Sequence, residues 1–266
     1  MKPPRFEYHA PGSIDDAVAL LARYGGDAKV LAGGQSLMPM LNFRLARPAA
    51  LIDVNRIAAL AYVREDNGTV AFGAMTRQRT IEFSPVVARQ LPLLLEATRW
   101  VGHLPIRSRG TIGGSIAHAD PSAEYPAVLT ALDGEVVAQG PRGRRKLKAG
   151  ELFETYLTTR LAPDELLVEV RLPATPAGAG PVPVRLKAAE AILERDGLGP
   201  AAIEAAAARA AELVEPDADV HASADYRRHL VGVLTARALR RAVEQSRQPS
   251  RSGHPRSEPA SRPPLQ

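Results

Sequence analysis

The chain has 266 residues, of which 45% are hydrophobic, 24% charged and 5% aromatic, and this ordinary globular composition excludes collagen-like, coiled-coil and mainly disordered proteins. The formal net charge is +5, and residues 246–266 supply +3 of it through four arginines and one glutamate. The chain has no cysteine, which excludes disulfides, thiolate zinc sites, cysteine nucleophiles and thiolate ligation of an iron–sulfur cluster by this chain.

The positive charge does not indicate a nucleic-acid-binding surface. A second basic run, residues 142–148, follows a Gly-Pro turn and is typical of a solvated hairpin tip. Neither basic run is accompanied by the aromatic residues on which bases stack in single-strand-binding proteins. We therefore expect no nucleic-acid partner.

No targeting or membrane-spanning segment is predicted. The longest apolar runs fall short of the ~20 residues that cross a bilayer. The first twelve residues also lack the apolar centre of a signal peptide, which favours a cytoplasmic location.

Strands and helices are predicted to alternate up to residue 173. Ser13 is placed to cap the first helix, and Asn67-Gly68 is a strong signal for a two-residue hairpin turn. The dipeptides Ser84-Pro85 and Asp120-Pro121 each combine a capping residue with a proline suited to a first helical turn. The predicted elements are a helix at 14–23, strands at 29–32, 50–54, 61–63 and 69–73, a helical stretch from 85 to 100, a helix from 121 to 132, and strands at 135–139 and 165–172.

The composition changes after residue 173. Residues 174–183 are rich in Ala, Gly and Pro and are predicted to form a linker. Helices are predicted over 184–195, 201–214 and 225–245. The Ser, Pro, Arg and Gln-rich residues 246–266 are predicted to be disordered. The predicted domains are therefore 1–173 and 184–245.

Two glycine-rich segments are the candidate binding residues. The first runs from Ala32 to Leu41 directly after a strand, and the second runs from Thr111 to Pro121. Paired glycines allow backbone N–H groups to converge on an anion, and two such segments could hold a pyrophosphate from opposite sides. A tight turn or a close crossing of two chain segments explains a Gly-Gly pair equally well, and neither segment is a P-loop or a G-x-G-x-x-G fingerprint.

No catalytic residue or metal site is predicted. His103 and His118 lie outside any metal-ligand spacing, and Ser36 and Ser115 have no recognisable His/Asp relay. The carboxylates in this region do not form a pair that the sequence can place.

The order of motifs resembles a known family. The sequence AGGQSLMPML, a hairpin ending in residues 72–76, and then IRSRGTIGGS resemble the FAD-binding medium subunit of molybdenum hydroxylases, a family that includes carbon monoxide dehydrogenase medium chains and the flavin region of xanthine dehydrogenase. The resemblance covers residues 1–173 and resumes at 183–187 and 222–230. It implies an α+β fold: an FAD-binding domain of the p-cresol methylhydroxylase type, in two α/β halves, followed by a truncated, mainly helical C-terminal domain.

The resemblance also implies the binding residues. FAD would be held non-covalently, with its diphosphate between the backbone amides of both glycine segments. Glu124 falls near a position where the family often has an acid facing the ribityl or ribose hydroxyls, and Lys29 would add positive charge near the phosphates. The implied cofactor-binding residues are Lys29, Ala32, Gly33, Gly34, Gln35, Ser36, Leu37, Thr111, Ile112, Gly113, Gly114, Ser115 and Glu124.

The implied function is electron transfer within a heteromeric oxidoreductase. Because this chain has no cysteine, the [2Fe–2S] clusters that reduce the FAD would belong to a small partner subunit, and the molybdenum cofactor to a large one. Two alternatives remain open: a non-enzymatic remnant or assembly subunit without functional flavin, and a stand-alone flavoprotein oxidoreductase of the same superfamily.

One departure from the family bears on the first alternative. Relatives usually continue from the linker into an antiparallel sheet, whereas this chain passes directly from residue 180 to Pro181 and the predicted helices. Without that sheet, the helices must find another surface to pack on or stay loosely packed.

Overall fold

The computed structural model describes residues 2–174, 186–214 and 223–247. The strands are β1 Glu7–His9, β2 Ala28–Leu31, β3 Ala50–Asp53, β4 Val63–Asp66, β5 Thr69–Gly73, β6 Glu135–Gly140, β7 Gly143–Lys148, β8 Phe153–Thr155, β9 Thr158–Thr159 and β10 Leu166–Pro173. The helices are α1 Ile14–Tyr24, α2 Leu37–Asn42, α3 Gln78–Glu82, α4 Pro85–Gln90, α5 Pro92–Trp100, α6 Leu104–Arg109, α7 Ile112–His118, α8 Glu124–Ala131, α9 Ala149–Leu152, α10 Lys187–Asp196, α11 Pro200–Glu212 and α12 Ala224–Arg247.

The first half of the fold is a small parallel sheet in the order β1-β3-β2. Its strands are parallel because helical connections return the chain to the same end of the sheet. Helix α1 begins as predicted, since the Ser13 hydroxyl accepts the amide hydrogen of Asp16 at 3.1 Å. The apolar face of α1, Ala17, Val18 and Leu21, packs with Ile52 of β3.

The second half is an antiparallel five-stranded sheet in the order β4-β5-β10-β6-β7. The predicted hairpin between β4 and β5 is present, with Asn67 and Gly68 at φ 45° and 78° as a type I′ turn requires. The central strand, β10, pairs with β5 and with β6. Residues from this sheet and from α5, α7 and α8 form the largest apolar core, so the helices cover one face of the sheet.

Three expectations about local structure are wrong in detail, two about helices and one about the basic run. The stretch from 85 to 100 is two helices, because Pro92 has no N–H to continue α4 and instead begins α5. Asp120 does not cap a helix. Its carboxylate accepts the Ser122 amide at 2.8 Å in a turn, and α8 begins only at Glu124. The basic run 142–148 lies mainly in the edge strand β7, with only Pro141 and Arg142 in the turn before it.

The C-terminal helices pack on one another. Their buried contacts are made mainly by small side chains. Alanines of α10 and α11 pack in two clusters, and Ile203 of α11 and Ala236 of α12 belong to the second of these. In the described residues that follow β10 there is no strand, as the truncated C-terminal domain predicts. Arg241 of α12 forms an ion pair with Glu96 of α5 at 3.3 Å, which joins these helices to the second half.

The remaining domain predictions are only partly covered. Residues 175–183 of the predicted linker, the first two residues of the helix predicted at 184–195, and residues 248–266 of the predicted tail lie outside the described residues. Helix α12 extends two residues past the predicted end at 245. None of the helices described is long and apolar enough to span a membrane.

Candidate functional site

A cleft of about 480 Å³ lies between the two halves. Its walls come from β2 and the first glycine segment on one side, and from α7 and the start of β10 on the other. The structure brings all but one of the predicted binding residues to this cleft. The exception is Ile112, which is 1% exposed and packs in the core of the second half.

The first glycine segment presents unpaired backbone amides. Among the described residues, no acceptor contacts the N–H groups of Gly33, Gly34, Gln35 and Ser36. Gly34 has a φ of +74°, and alternation of backbone handedness of this kind turns successive N–H groups toward one point. The Gln35 side-chain amide donates to the Gly33 carbonyl at 3.0 Å and fixes the loop locally. This segment can therefore receive an anion without losing an existing hydrogen bond.

The second glycine segment is built differently, and the expectation that its amides are also free is wrong. The segment is the first turn of α7, capped by Thr111. The amides of Ile112 and Gly113 donate to the carbonyls of Thr76 and Ala74, and those of Gly114 and Ser115 donate to Thr111 Oγ1 and to the Thr111 carbonyl. Thr111 and Ser115 still line the cleft, Ser115 half-buried and Thr111 only 2% exposed, with the Thr111 hydroxyl oxygen already accepting the Gly114 amide.

Close approach of two chain segments accounts for several of the glycines. A Cβ on Gly33 would lie 2.5 Å from the Arg109 carbonyl oxygen, and one on Gly113 would lie 2.6 Å from the Cβ of Ala74. Gly114 is restricted within its own segment, since a Cβ there would lie 2.7 Å from Thr111 Oγ1 and at an ordinary 3.5 Å from the Cβ of Ala32. The close-crossing interpretation of the glycine pairs is therefore confirmed, and the anion-binding interpretation remains a prediction for the first segment.

The structure adds polar residues that the sequence did not reveal. Gln78 lines the cleft although it is only 4% exposed, and its Oε1 is the one fully buried side-chain oxygen or nitrogen without a partner among the described residues. Asn55 and Arg77 form hydrogen bonds beside the first segment. No motif marked these three positions, because each reaches the site through the packing of distant parts of the chain.

Carboxylates also line the cleft. Asp120, Glu124 and Glu165 are among its lining residues, as are His118 and the exposed Lys29. Two hydrogen bonds from Arg145, at 2.6 and 2.7 Å, hold the pKa of Glu165 below its usual value. No group of three or more potential metal ligands occurs in the parts of the chain that the structure describes.

Two family models match the chain. The FAD binding domain in molybdopterin dehydrogenase matches residues 4–175, and the CO dehydrogenase flavoprotein C-terminal domain matches residues 171–242. Together they account for nearly all of the described residues.

Curated relatives match over almost their full length. The chain is 40% identical to the carbon monoxide dehydrogenase medium chain of Hydrogenophaga pseudoflava, over 91% of this chain and 98% of the relative. It is 38% identical to the 6-hydroxypseudooxynicotine dehydrogenase complex subunit alpha of Paenarthrobacter nicotinovorans, over 93% of this chain and 97% of the relative. That second alignment has 288 positions and this chain only 266 residues, so at least about 20 residues of the relative have no counterpart here.

Solved structures show the same architecture. A carbon monoxide dehydrogenase from Hydrogenophaga pseudoflava superimposes with a TM-score of 0.87 at 39% identity, covering 92% of this chain and 99% of that chain. Quinoline 2-oxidoreductase from Pseudomonas putida gives a TM-score of 0.85 at 28% identity, with the same coverage of both chains.

Proposed function

Since this chain belongs to the family of FAD-binding medium subunits of molybdenum hydroxylases, we propose that it holds FAD in the cleft between its two halves and passes electrons from a partner's [2Fe–2S] clusters to an external acceptor. Its relatives are subunits of dehydrogenases, and FAD is the cofactor of the family. The observation that carries the proposal is that Gly33, Gly34, Gln35 and Ser36 line the cleft and that their four amides have no acceptor among the described residues.

The residues of the cleft fit a dinucleotide. The N–H groups of Gly33, Gly34, Gln35 and Ser36 would bind the oxygens of the diphosphate, which carry the charge that converging amides favour. Across the cleft, the hydroxyls of Thr111 and Ser115 would donate to the same group. The Gln78 side chain leaves a buried oxygen without a donor, and a ligand N–H or O–H would satisfy it.

The other predicted residues have supporting roles in this proposal. Ala32 and Leu37 flank the row of amides and would contact the cofactor through their apolar atoms. Lys29 would offset the charge of the diphosphate, and Glu124, in the first turn of α8, would accept hydrogen bonds from the sugar hydroxyls. Ile112 does not reach the cleft, and its role is to pack α7 into the core so that Thr111 and Ser115 face the first segment.

The chain's part in electron transfer is to bind and position. FAD, when bound, supplies the capacity to accept electrons one at a time and to release them singly or in pairs. The absence of cysteine supports a partner as the holder of the iron–sulfur clusters. The partners we propose are a [2Fe–2S] small subunit and a molybdenum-cofactor large subunit, in keeping with relatives that are medium subunits of complexes.

The visible spectrum of the purified chain tests the proposal. We expect flavin absorption that stays with the protein through gel filtration, and a cysteine-rich small chain and a large molybdenum-containing chain that copurify from the native host. Reduction of the bound flavin should need these partners. Efficient turnover of an organic substrate by the isolated chain would contradict the assignment and favour a stand-alone flavoenzyme.

A second candidate function rests on the truncated C-terminal domain. The dehydrogenase complex subunit alpha that aligns over 288 positions has residues that this chain lacks. No strand follows β10 among the described residues. An assembly subunit that keeps the fold but no longer binds flavin would have these features. A folded, colourless chain that takes up no added FAD but still copurifies with the partner subunits would identify this function.

A further inference from the structure

Gly33 lies against Gly110, the residue directly before the second glycine segment, and each of these two glycines follows a residue whose carbonyl group accepts a side-chain hydrogen bond. The Ala32 carbonyl comes directly before Gly33, and the Arg109 carbonyl comes directly before Gly110. The segments meet here, because a Cβ on Gly33 would lie 2.5 Å from the Arg109 oxygen and 2.8 Å from the Gly110 Cα. Any group that binds both carbonyls therefore sets the spacing between the two walls of the cleft.

Two side chains bind these carbonyls and also bind each other. The Asn55 side-chain nitrogen donates to the Ala32 oxygen at 2.9 Å, and Arg77 Nη1 donates to the Arg109 oxygen. Arg77 Nη2 donates to the Asn55 side-chain oxygen at 2.6 Å. One continuous path of hydrogen bonds thus joins the backbone of the first segment to the end of α6, which leads through Gly110 into the second segment.

The path is anchored in the parallel sheet. Asp53, at the end of β3, accepts both the backbone amide of Asn55 at 2.9 Å and its side-chain nitrogen at 2.6 Å. The second carboxylate oxygen of Asp53 accepts a hydrogen bond from the hydroxyl of Tyr8, in β1, at 2.6 Å. These bonds fix the Asn55 side chain, so its contact with Ala32 is held in one geometry.

The Asn55 contact also sets the direction of a free amide. In a trans peptide the C=O of one residue and the N–H of the next point in opposite directions within one plane. Because the Ala32 carbonyl points to Asn55, the Gly33 N–H points away from Asn55, and it is the first of the four unpaired amides. Losing the Asn55 bond would free this peptide plane to rotate.

We propose that Asn55 and Arg77 are a pair of positioning residues that hold the two glycine segments at a fixed spacing and orient the Gly33 amide for a diphosphate. This inference rests on the proposed function, because it names the residues that preorganise the same site. Neither side chain needs to touch the cofactor. Their effect on affinity comes from having the amides ordered before the ligand arrives.

The test measures FAD and ADP affinity for the full chain after removal of bound flavin. Asn55→Ala removes its bonds with both Ala32 and Arg77, and each lost bond is worth about threefold to tenfold in affinity. We expect the affinities for FAD and for ADP, which share the diphosphate, to fall by the same factor of about tenfold to a hundredfold. Arg77→Lys keeps the charge but cannot make both bonds, and it should weaken both ligands by about threefold to tenfold.

Two comparisons separate positioning from general destabilisation. Arg56→Ala removes the neighbouring positive charge from a side chain that forms no hydrogen bond within the described part of the chain, and it should leave both affinities unchanged. In the double variant N55A/R77K, the loss should be smaller than the product of the two single losses, because the two side chains share one bond.

The outcomes are distinguishable. If the unaltered chain binds neither FAD nor ADP, the proposed function fails and this inference fails with it. If the unaltered chain binds FAD but N55A and R77K bind it equally well, only the positioning role is overturned. The same conclusion follows if the variants lower the unfolding temperature of the apoprotein without changing either affinity, or if R56A weakens binding as much as R77K.

Discussion

At the scale of single residues, the glycines of the cleft are subject to two different constraints. Gly34 needs its positive φ of 74°, whereas Gly33 and Gly114 have ordinary backbone angles. Gly33 is restricted by the Arg109 carbonyl and Gly114 by the Thr111 hydroxyl oxygen, 2.7 Å from where a Cβ would be. Bulk at Gly33 or Gly114 would therefore act through these contacts and not through backbone strain. A side chain at Gly33 would separate the two segments.

Gly34→Ala tests the free amides most directly. An alanine at positive φ costs about 1–2 kcal/mol, and relaxing that strain would turn the amides away from one another. We expect FAD affinity to fall by about tenfold, measured by titration of the apoprotein. Gly12→Ala is the matched control, because its Cβ would meet nothing within 4 Å and its φ is not positive. Equal affinity in G34A and the unaltered chain would show that this loop does not bind the diphosphate.

Gln78 offers a test in which stability and binding change in opposite directions. Its buried oxygen lacks a donor, and such a group costs about 1–3 kcal/mol. Gln78→Met, a substitution of similar shape, should raise the free energy of unfolding of the apoprotein and lower its affinity for FAD. Thr98→Val is the control: its hydroxyl is satisfied by the Leu94 carbonyl and the Tyr125 hydroxyl, so the variant should lower stability and leave FAD affinity unchanged. A less stable Q78M apoprotein would contradict this interpretation.

At the scale of elements, β10 is the central strand of the second sheet, and an ion pair links the edge strand β7 to the residue before β10. The edge strand β7 carries Arg145, whose guanidinium forms two hydrogen bonds with Glu165, directly before β10. Glu165 also accepts the Ala162 amide at 2.8 Å. The pair therefore closes the loop before β10 at a point where Glu165 itself lines the cleft.

The Glu165 interaction predicts a pH dependence. Because Arg145 lowers the pKa of Glu165 in the folded state, the ionised pair stabilises the fold above the ordinary glutamate pKa of about 4.5, and this contribution is lost as the pH falls through the lowered value. Arg145→Ala should lower the unfolding free energy by about 1 kcal/mol at pH 7. The difference from the unaltered chain should shrink below about pH 4.5. Lys148→Ala, on the same strand, should show no such trend, and a pH-independent effect of R145A would exclude the ion pair as its cause.

At the scale of the whole molecule, the second half of the FAD-binding fold and the C-terminal helices bury side chains of different size. The second half buries Phe72, Leu94, Ile116 and Tyr125 completely. The C-terminal helices bury mainly alanine, with Ile203 as the one large side chain that is fully inside among their described residues. Burial of a Leu, Ile or Phe side chain is worth about 1.5–3 kcal/mol, so the helices have less apolar stabilisation than the sheet they follow.

Hydrogen exchange should reveal this difference. We expect the amides of α10 and α11 to exchange faster than those of β10 and β6, because local opening free energies follow the apolar area that an element buries. The helices pack on each other, so they should exchange as a unit and not as frayed single helices. Protection in α11 equal to that in β10 would show that the truncation costs no stability. Added FAD should increase protection near Gly33 and Thr111 and serves as an internal control.

Much of this protein could be predicted from short stretches of sequence, because the signals are local. The Ser13 cap, the Asn67-Gly68 turn and the predicted strands at 69–73, 135–139 and 165–172 depend on residues within a few positions of one another, and all of them are present in the structure. The predicted strand at 61–63 overlaps β4 only at Val63, and β7 was not predicted as a strand. The two glycine segments, in order, were enough to indicate the family and its FAD. Helix boundaries at Pro92 and Asp120 were missed because proline and capping residues permit more than one local structure.

What only the tertiary structure decided is which polar groups are free. The Gly113 amide is used by the Ala74 carbonyl, and the Gly33 amide is left open because Asn55 holds the peptide before it. Arg77, which directly precedes α3, and Gln78, the first residue of α3, enter the site from a stretch that carries no motif. The sequence alone determined where amides and hydroxyls that could bind a diphosphate occur. Whether each one faces an anion or another part of the protein depends on contacts between residues far apart in the chain, and these form only when the two halves pack together.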